Sequence, residues 1–350
     1  MRAGISLLTL VPGISGGSET YVRNLVRALG EVGSNEYRVF LPVIAADVDG
    51  LPAELVPEYR ASSGTGGRIV AMTAASLRGG RIRRRFAGLD AIHFPLSVMI
   101  PPVREPPAVS SVLDLQHEEF PAFFSASERA YRKLVYGWTV RRSRLIVTIS
   151  HHGARTLVER LHIPEERIRP IHLGIDHARF RPGDDKRGDT LLYPALGWPH
   201  KNHARLFEAF AVLRERYPQL ELVLTGYEGA TPVGARALGR VSGEELVRLY
   251  RTSAALVFPS LYEGFGQPPL EAMACRCPVA CSNAASLPEV CGDAARLFDP
   301  RSVEEMVAAV EDVLLDPDPW RERGLQRAAG FTWEATARAH DAVYRELAGS

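Results

Sequence analysis

Short runs of apolar residues alternate along the chain with longer segments in which apolar residues recur at helical spacing. Residues 5–11 form the first such run, and Tyr21, Leu25 and Leu29 repeat at every fourth position within the segment 18–29 that follows. A buried strand followed by an amphipathic helix is typical of a βα unit, and repeated units give a mostly parallel sheet. The pattern therefore predicts an α/β fold.

The same alternation continues in two series. The predicted strands of the first series are residues 5–11, 37–43, 91–94, 109–113, 145–149 and 168–173. Those of the second series are residues 190–194, 220–224, 254–258, 279–281 and 295–298. The helices predicted in the second series are residues 203–216, 243–252, 268–275, 303–314 and 333–347.

Residues 174–189 separate the two series. They contain Gly, Pro and charged residues without an apolar period, which is typical of a linker. We therefore predict two Rossmann-like domains, residues 1–175 and 190–330, joined by a linker at 176–189, with residues 331–350 as a closing helix. In such a pair a ligand binds in the cleft between the carboxyl ends of the two sheets.

The composition excludes several classes of protein. Apolar residues make up 46% and charged residues 24% of the 350 residues, an ordinary globular balance. The formal net charge is only +1, although it divides into +6 for residues 1–175 and −5 for the rest, so we expect no nucleic-acid partner. No stretch of about 20 apolar residues and no signal-peptide cleavage site is found, so we expect a cytoplasmic protein.

The strongest chemical signal is PSLYEGFGQPPLEAMAC, in which Glu263 and Glu271 are separated by seven residues. Glu263 lies in a glycine loop after a predicted strand, and Glu271 lies in the next helix. The N–H groups of Phe265, Gly266 and Gln267, at the start of that helix, can bind a phosphate. Glu271, one or two turns into the helix, can reach a ribose diol.

A second phosphate-side motif, YPALGWPHKNHARLFEAF, contains one of only three lysines in the chain. Lys201 lies at a predicted helix start, where its ammonium can neutralise a departing diphosphate. No second cation can be assigned there, and His200 and Arg205 are both possible. No Asp-x-Asp pair lies near either phosphate motif, so no metal is expected.

Two candidate features lie in the first domain. In PGISGGSETY, Gly16 and Gly17 let the backbone approach an anion at a helix N-terminus, although a structural turn explains them equally well. In VLDLQHEEF, Asp114 and His117 follow a strand, where they either line a sugar or form a structural network at the strand end. The four cysteines, which lie within residues 275–291, show no paired C-x-x-C spacing, so we expect reduced packing residues.

Taken together, these motifs closely resemble the signature of glycosyltransferase family 4, and the resemblance covers nearly the whole chain. It implies the GT-B fold, two Rossmann-like domains facing a central cleft with a C-terminal helix that returns to the first domain. It also implies a retaining, metal-independent hexosyltransferase that uses a nucleoside-diphosphate sugar and no cofactor, in glycan, glycolipid or natural-product biosynthesis.

The resemblance also implies a role for each matched position. Glu263 contacts the donor sugar, Glu271 holds the ribose, and the N–H groups around Gly266 and Gln267 bind the distal phosphate. Gly16 and Gly17 match a loop that closes the diphosphate site. The base lies against the backbone near Thr225, Gly226 and Val241, which cannot distinguish GDP-, UDP- and dTDP-sugars. The usual His-Asp pair is replaced here by Leu113 and Asp114, with His117 three residues on.

Other functions and partners remain open from the sequence. A sugar-nucleotide epimerase of the same fold is the alternative enzyme. A dinucleotide-dependent oxidoreductase would need the G-x-G-x-x-G motif that the chain lacks, and a non-catalytic binding protein is the third possibility. The acceptor carries a hydroxyl and can be lipid-linked. A run of arginines is either a solvated helix face or a patch for an anionic acceptor or membrane surface, and it comprises Arg78, Arg81, Arg83, Arg84 and Arg85.

Overall fold

The computed structural model describes residues 1–13, 16–45, 47–60, 66–67, 70–71 and 79–349. The chain divides into two compact units. The first contains Met1–Gly174 and Trp333–Ser350, and the second contains Ile175–Thr332. Each unit is built on one parallel sheet, as the sequence pattern predicts.

The first unit has a seven-stranded parallel sheet in the order β3-β2-β1-β4-β5-β6-β7. Its strands are β1 (Arg2–Ser6), β2 (Glu36–Leu41), β3 (Ala53–Leu55), β4 (Ala91–Phe94), β5 (Ala108–Val112), β6 (Leu145–Thr148) and β7 (Ile168–Pro170). Its helices before residue 175 include α1 (Gly17–Val32), α2 (Gly79–Arg85), α3 (Gln116–Glu119), α4 (Ala126–Arg142) and α5 (His151–Leu161).

The second unit has a six-stranded parallel sheet in the order β10-β9-β8-β11-β12-β13. Its strands are β8 (Thr190–Pro194), β9 (Glu221–Thr225), β10 (Ala235–Ala237), β11 (Ala255–Phe258), β12 (Val279–Ser282) and β13 (Arg296–Phe298). Its helices include α6 (His203–Arg216), α7 (Gly243–Thr252), α8 (Gln267–Ala274), α9 (Leu287–Cys291), α10 (Val303–Leu315) and α11 (Pro317–Ala329).

In each sheet the order of the strands along the chain reverses once. The reversal lies between β1 and β4 in the first unit and between β8 and β11 in the second. At such a point the loops that follow two neighbouring strands diverge and leave room for a ligand. The loop after β8 contains Lys201, and the loop after β11 contains Glu263. The topology thus brings the two strongest sequence motifs to one edge of one sheet.

The last helix, α12 (Trp333–Ala348), packs against α1 and belongs to the first unit. The Asp341 carboxylate accepts hydrogen bonds from the Ser34 hydroxyl (2.7 Å) and the Asn35 amide (2.5 Å). The Thr336 hydroxyl donates to the His172 carbonyl at 2.8 Å. The helix therefore returns to the first domain, as the fold class requires.

The segment 176–189, predicted as a free linker, instead packs within the second unit. Arg187 donates to the carbonyls of Tyr250 (2.9 Å) and Ser253 (2.7 Å), and the Gly188 N–H donates to Thr252 O at 2.8 Å. These bonds satisfy the carbonyls at the end of α7. Phe180 is buried and its ring lies 6.0 Å from that of Tyr250, so one apolar contact and these hydrogen bonds together attach the segment without a regular apolar period.

Candidate active site

The loops after β8 and β11 are joined by backbone and side-chain hydrogen bonds. The Leu261 N–H donates to the His200 carbonyl at 2.8 Å. The Asn202 side-chain amide donates to the carbonyls of Pro259 (3.1 Å) and Pro300 (2.8 Å). Asn202 has a φ of 61°, a left-handed conformation that Asn tolerates better than most residues. These contacts fix the backbone on both sides of Lys201.

Lys201 and Glu263 form an ion pair between these two loops. The Lys201 Nζ lies 2.5 Å from Glu263 Oε1, and the two side chains are 17% and 14% exposed. The same ammonium lies 5.8 Å from the centre of the Phe258 ring, at the end of β11. Most of the surface of both side chains is buried against protein, but the exposed part is still accessible to water and ligands. An anion that arrives here meets an ammonium whose position is already fixed.

Gly266 marks the turn from the Glu263 loop into α8. Its φ is 112°, and a Cβ added to it would lie 2.7 Å from the Leu287 side chain. Both the conformation and the close approach require glycine. No side chain of the described residues caps α8 at this position. Pro268 and Pro269 in the first turn have no N–H, so the donors that this helix start can offer to a phosphate are the backbone N–H groups around Gly266.

Ser286 supports the Glu263 loop through hydrogen bonds that the sequence did not predict. Its hydroxyl lies 2.9 Å from the Glu263 carbonyl and 2.7 Å from the Phe265 carbonyl. Its side chain makes no capping hydrogen bond to α9, although Ser286 lies directly before that helix. Ser286 instead holds the Glu263 loop from the end of a different strand, and only the three-dimensional fold brings the two together.

Glu271 lies on α8 and accepts a hydrogen bond from the Tyr250 hydroxyl at 2.9 Å. Its carboxyl is partly exposed, but enough of it is removed from water that burial raises its pKa to about 7, against the opposing effects of Tyr250 and Arg179. Tyr250, which is buried, was not among the predicted site residues. One carboxylate oxygen thus has a protein donor, and the other can accept from a diol.

The remaining predicted positions of the second unit are used in different ways. Phe265 is buried, and its ring packs on Phe331 at 5.9 Å, so only its backbone can face a ligand. The Gly226 N–H donates to the Gly239 carbonyl at 2.6 Å and is already committed. Thr225 is buried at the end of β9, and Val241 is half-buried. Gln267 is the first residue of α8 and is half-buried.

Of the two possible second cations near Lys201, Arg205 is favoured over His200. Burial and the neighbouring Lys201 lower the pKa of His200 to about 4, so it is neutral near pH 7. Arg205 is half-buried on α6, and its guanidinium lies 3.4 Å from the Asn202 side-chain oxygen. Arg205 therefore remains the candidate.

In the first unit, Asp114 and His117 follow β5 at the carboxyl edge of the sheet. The Asp114 carboxylate accepts from the Gln116 N–H at 2.5 Å and lies 3.8 Å from the Arg132 guanidinium. His117 is buried with its ring edge-on to Tyr136 at 5.4 Å. Burial, and secondly the charge of Arg132, lower the His117 pKa to about 4, so this ring is neutral and can accept or donate a hydrogen bond.

Gly16 and Gly17 also belong to the first unit, at the start of α1. Gly16 has a φ of 50°, and a Cβ at either position would meet none of the described residues within 4 Å. The Glu19 carboxylate accepts from the Gly13 N–H at 2.8 Å on the same turn. The two glycines thus border open space, as an approach to a ligand requires.

The part of the chain that the structure describes offers neither a cluster of metal ligands nor a membrane-spanning helix. No group of three or more His, Cys, Asp or Glu there could hold a metal ion, and no helix is long and apolar enough to cross a bilayer. The four cysteines are free and buried, as expected of packing residues. Burial raises the pKa of Cys275 to about 12 and that of Cys277 to about 11.

The chain is similar to known glycosyltransferases over most of its length. The model described as "Glycosyltransferase Family 4" matches residues 15–179, and that described as "Glycosyl transferases group 1" matches residues 175–329. O-antigen chain mannosyltransferase B of Escherichia coli is 33% identical over 259 residues, which are 65% of this chain and 67% of that protein. Further relatives are described as mannosyltransferases, and the chain spans 27% to 61% of their length.

Solved structures show the same fold. Sucrose-phosphate synthase from Thermosynechococcus elongatus superposes with a TM-score of 0.77 at 20% identity, over 100% of both chains. Anabaena HepE in complex with UDP and glucose has a TM-score of 0.70 at 15% identity, again over 100% of both chains. These comparisons give no support to the epimerase alternative. The chain belongs to glycosyltransferase family 4 and is a glycosyltransferase with the GT-B fold.

Proposed function

We propose that this protein transfers a hexose from a nucleoside-diphosphate sugar to an acceptor hydroxyl, with retention of configuration and without a metal or other cofactor. The observation that carries the proposal is the ion pair of Lys201 and Glu263 beside the uncapped start of α8. A departing diphosphate needs positive charge and N–H donors at fixed positions, and this edge of the second sheet offers both.

Each residue has a separate part in the proposed reaction. Lys201 neutralises the diphosphate as its bond to the sugar breaks, and Glu263 orients that ammonium while it contacts the sugar hydroxyls. The backbone at Gly266 and Gln267 binds the distal phosphate, and Glu271 holds the ribose. The departing phosphate accepts the acceptor proton on the same face, so the chain needs no side-chain nucleophile. Positioning and charge neutralisation each supply several kcal/mol of such a barrier.

Mannose is the hexose that we propose. Relatives that are 33% and 30% identical to this chain are described as mannosyltransferases. The fold itself is compatible with a uridine nucleotide, because HepE binds UDP and glucose. Backbone contacts at Thr225, Gly226 and Val241 read the base, so GDP, UDP and dTDP are all to be compared.

For the acceptor we propose a lipid-linked hydroxyl compound, bound through Asp114 and His117, at the cytoplasmic face of a membrane. The exposed arginines of α2, Arg81, Arg83 and Arg84, would contact anionic lipid. Arg85 contributes little to such a patch, because its guanidinium is paired with Glu54 at 2.5 Å and with Glu58 at 2.8 Å. Arg78, the fifth residue of the run, lies outside the described residues.

A thermal-shift panel of GDP-, UDP- and dTDP-mannose, each with its glucose counterpart, tests the donor first. A ligand at about 100 times its dissociation constant stabilises the protein by about 2.7 kcal/mol. NMR of the product then reports the anomeric configuration, and EDTA should leave the rate unchanged. Nucleotide-sugar binding with release of free sugar only, and no product on any hydroxyl acceptor, would contradict glycosyl transfer.

Lys201→Ala tests the observation on which the proposal rests. Loss of one group that stabilises transition-state charge lowers kcat by about 100-fold to 1,000-fold. Lys186→Ala, which removes an exposed lysine from segment 176–189, is the matched control and should behave as wild type. Equal rates for the two variants would show that the ion pair is structural.

A further inference from the structure

Helix α4 carries an exposed surface that the sequence analysis did not single out. We define the α4 surface as the residues that line a cleft of about 570 Å³ on this helix, namely Ala130, Lys133, Leu134, Trp138, Arg141 and Arg142. Leu134 is 73% exposed, although it lies in the middle of a 17-residue helix. None of the six described lining residues is acidic.

The spacing places the apolar and the basic residues of the α4 surface in adjoining rows. Ala130, Leu134, Trp138 and Arg142 follow one another at every fourth position, so they form one ridge along the helix. The Arg142 guanidinium lies 5.3 Å from the centre of the Trp138 ring. An exposed apolar side chain bordered by an indole and three cations is the composition of a helix that lies in a membrane interface.

The basic character continues past the end of α4. A second cleft of about 580 Å³ shares Arg141 and Arg142 and adds Arg104 and Arg144. Its two carboxylates are Glu105 and Glu346, and the latter is paired with an arginine elsewhere. Arginines therefore outnumber carboxylates among the described residues that line this cleft, and its net charge is positive.

The same helix also contacts the proposed acceptor residues. Arg132 lies 3.8 Å from Asp114 and 4.8 Å from the centre of the Phe124 ring, on the inner side of α4. Lys133 and Leu134, the next two residues, are exposed on the outer side. A membrane that contacts the α4 surface would thus lie one helix width from Asp114.

We propose that the α4 surface is a docking site for an anionic lipid bilayer, with Leu134 inserted among the acyl chains and its cations on the lipid headgroups. A second copy of the chain fits less well, because a two-fold interface would set like charges opposite each other. Six residues also offer much less than the ~800 Å² per partner of a stable protein interface. The site is separate from the arginines of α2, and it does not depend on the proposed glycosyl transfer.

Co-sedimentation of the full chain with vesicles tests this proposal. The vesicles are phosphatidylcholine alone, or phosphatidylcholine with about a quarter phosphatidylglycerol, at about 0.1 M and about 0.5 M salt. We expect binding to the anionic vesicles only, and weaker binding at high salt. Leu134→Asp should lower the partition coefficient by at least about tenfold, and Arg142→Glu by about fivefold or more.

Leu315→Asp is the matched control, because Leu315 is 74% exposed but lies between Asp312 and Asp316 in the second unit. It should bind vesicles as wild type does. The blue shift of tryptophan emission on anionic vesicles should be lost in Trp138→Phe. Circular dichroism establishes that each variant is folded, and vesicle binding is measured without donor, so its outcome is independent of activity.

Three results would overturn the proposal. The first is equal binding to zwitterionic and anionic vesicles, and the second is unchanged binding by both Leu134→Asp and Arg142→Glu. The third is a solution dimer that Leu134→Asp converts to a monomer, because the α4 surface would then be covered by a second copy. A loss of binding only when Arg81 and Arg84 are replaced would instead assign the contact to α2.

Discussion

In the first unit, five buried polar side chains form one hydrogen-bonded chain between α1, the sheet and α12, whereas the ion pair of the second unit is still reached by water. Neighbours along the buried chain lie 2.7 to 2.9 Å apart. Each of its members is at most 1% exposed. In order, they are Tyr344, His93, Ser111, Tyr21 and His340.

The protons of this chain can be placed from its end. The Thr336 carbonyl, 2.8 Å from His340 Nδ1, can only accept, so Nδ1 carries the proton and Nε2 accepts from the Tyr21 hydroxyl. The same reasoning, carried back along the chain, leaves His93 Nδ1 to accept from Tyr344. Burial lowers the pKa of His340 to about 4 and that of His93 well below its usual range, which keeps both rings neutral.

The difference separates polar residues that stabilise the fold from those available to a ligand. In the buried chain every N–H and O–H donor has an acceptor within the protein, so no donor is left for another molecule. Lys201 and Glu263 carry full charges at the carboxyl edge of a sheet, and a ligand can exchange with their partners. The buried chain and the Lys201–Glu263 pair therefore differ in whether every donor is permanently bonded within the protein, and not in the types of residue they contain.

The largest expected effect is on stability, and it concerns Tyr344. Tyr344→Ala removes a buried ring and leaves His93 Nδ1 without its donor, so we expect a loss of about 3–5 kcal/mol in the free energy of unfolding. Tyr344→Phe, which removes the hydroxyl alone, should cost about 1–3 kcal/mol. Lys201→Ala should cost less, about 1–3 kcal/mol, because it removes one charged hydrogen bond from a pair that is mostly but not fully buried. Urea unfolding measures all three, and equal losses for Tyr344→Ala and Lys201→Ala would break the comparison.

The parts of the fold that the sequence predicted best are the central buried strands of both sheets. In the first unit, β4 matches its predicted range, and β5 and β6 lie within one residue of theirs. Strands β8, β11 and β12 lie within one residue of the predicted ranges, and α6 and α7 match them. These strands are covered by helices on both faces, so each reads as a continuous apolar run. The short strands β3 and β10, with three residues each at the sheet edges, were missed because they lack such a run.

The first strand was predicted, but too far along the chain. A strand was predicted at residues 5–11, but β1 is Arg2–Ser6. Leu7, Leu8 and Leu10 are fully buried in the loop that follows, so the apolar run continues past the end of the strand. A run of apolar residues indicates that the segment is buried, and here the buried segment extends beyond the end of the strand.

At the site, the sequence predicted the residue types and their elements but not their partners. Lys201 and Glu263 are 62 positions apart, and only the strand order makes the loops that carry them neighbours. The contacts of Ser286 and Tyr250 depend in the same way on long-range packing. Such contacts have no signal in a single sequence.

The two carboxylates of the second unit should respond differently to removal. Glu271→Ala should weaken nucleoside-diphosphate binding about 10-fold to 100-fold, because hydrogen bonds to charged groups contribute about 1.5–3 kcal/mol. A ribose contact is present before and during reaction, so its loss is a loss of uniform binding. Glu263→Ala should mainly lower kcat. Calorimetry with the free nucleotide decides, and wild-type affinity in Glu271→Ala would contradict the assignment to ribose.

The buried chain should make the first unit sensitive to acid. The folded pKa of His340, about 4, lies below the unfolded value of 6.5, so the stability it contributes is complete above pH 6.5 and is lost as the pH falls toward 4. Between about pH 7 and about pH 5, wild type should lose about 2 kcal/mol more than His340→Gln. The measurement is the difference in unfolding free energy between the two pH values, which does not depend on the variant's absolute stability. If wild type and His340→Gln lose the same unfolding free energy between the two pH values, His340 is protonated in the native state as readily as in the unfolded state.

The smallest effect expected concerns Gln267, and it asks whether the ligand-facing region extends from the ion pair to the start of α8. Directly after E-G-F-G this chain has Gln267, whose amide is half-buried beside Gly266. A half-buried amide that faces a sugar can pair with its hydroxyls, and the arrangement discriminates between sugars because a mismatched hydroxyl leaves the amide unpaired. Gln267→Leu should therefore change the ratio of kcat/KM between two donors with the same nucleotide by at least about tenfold, or about 1.4 kcal/mol. Steady-state rates with a mannosyl and a glucosyl donor give that ratio. If the amide only supports the local backbone, the rates on both donors will fall by the same factor, or neither will fall, and the region that reads the sugar ends at Glu263.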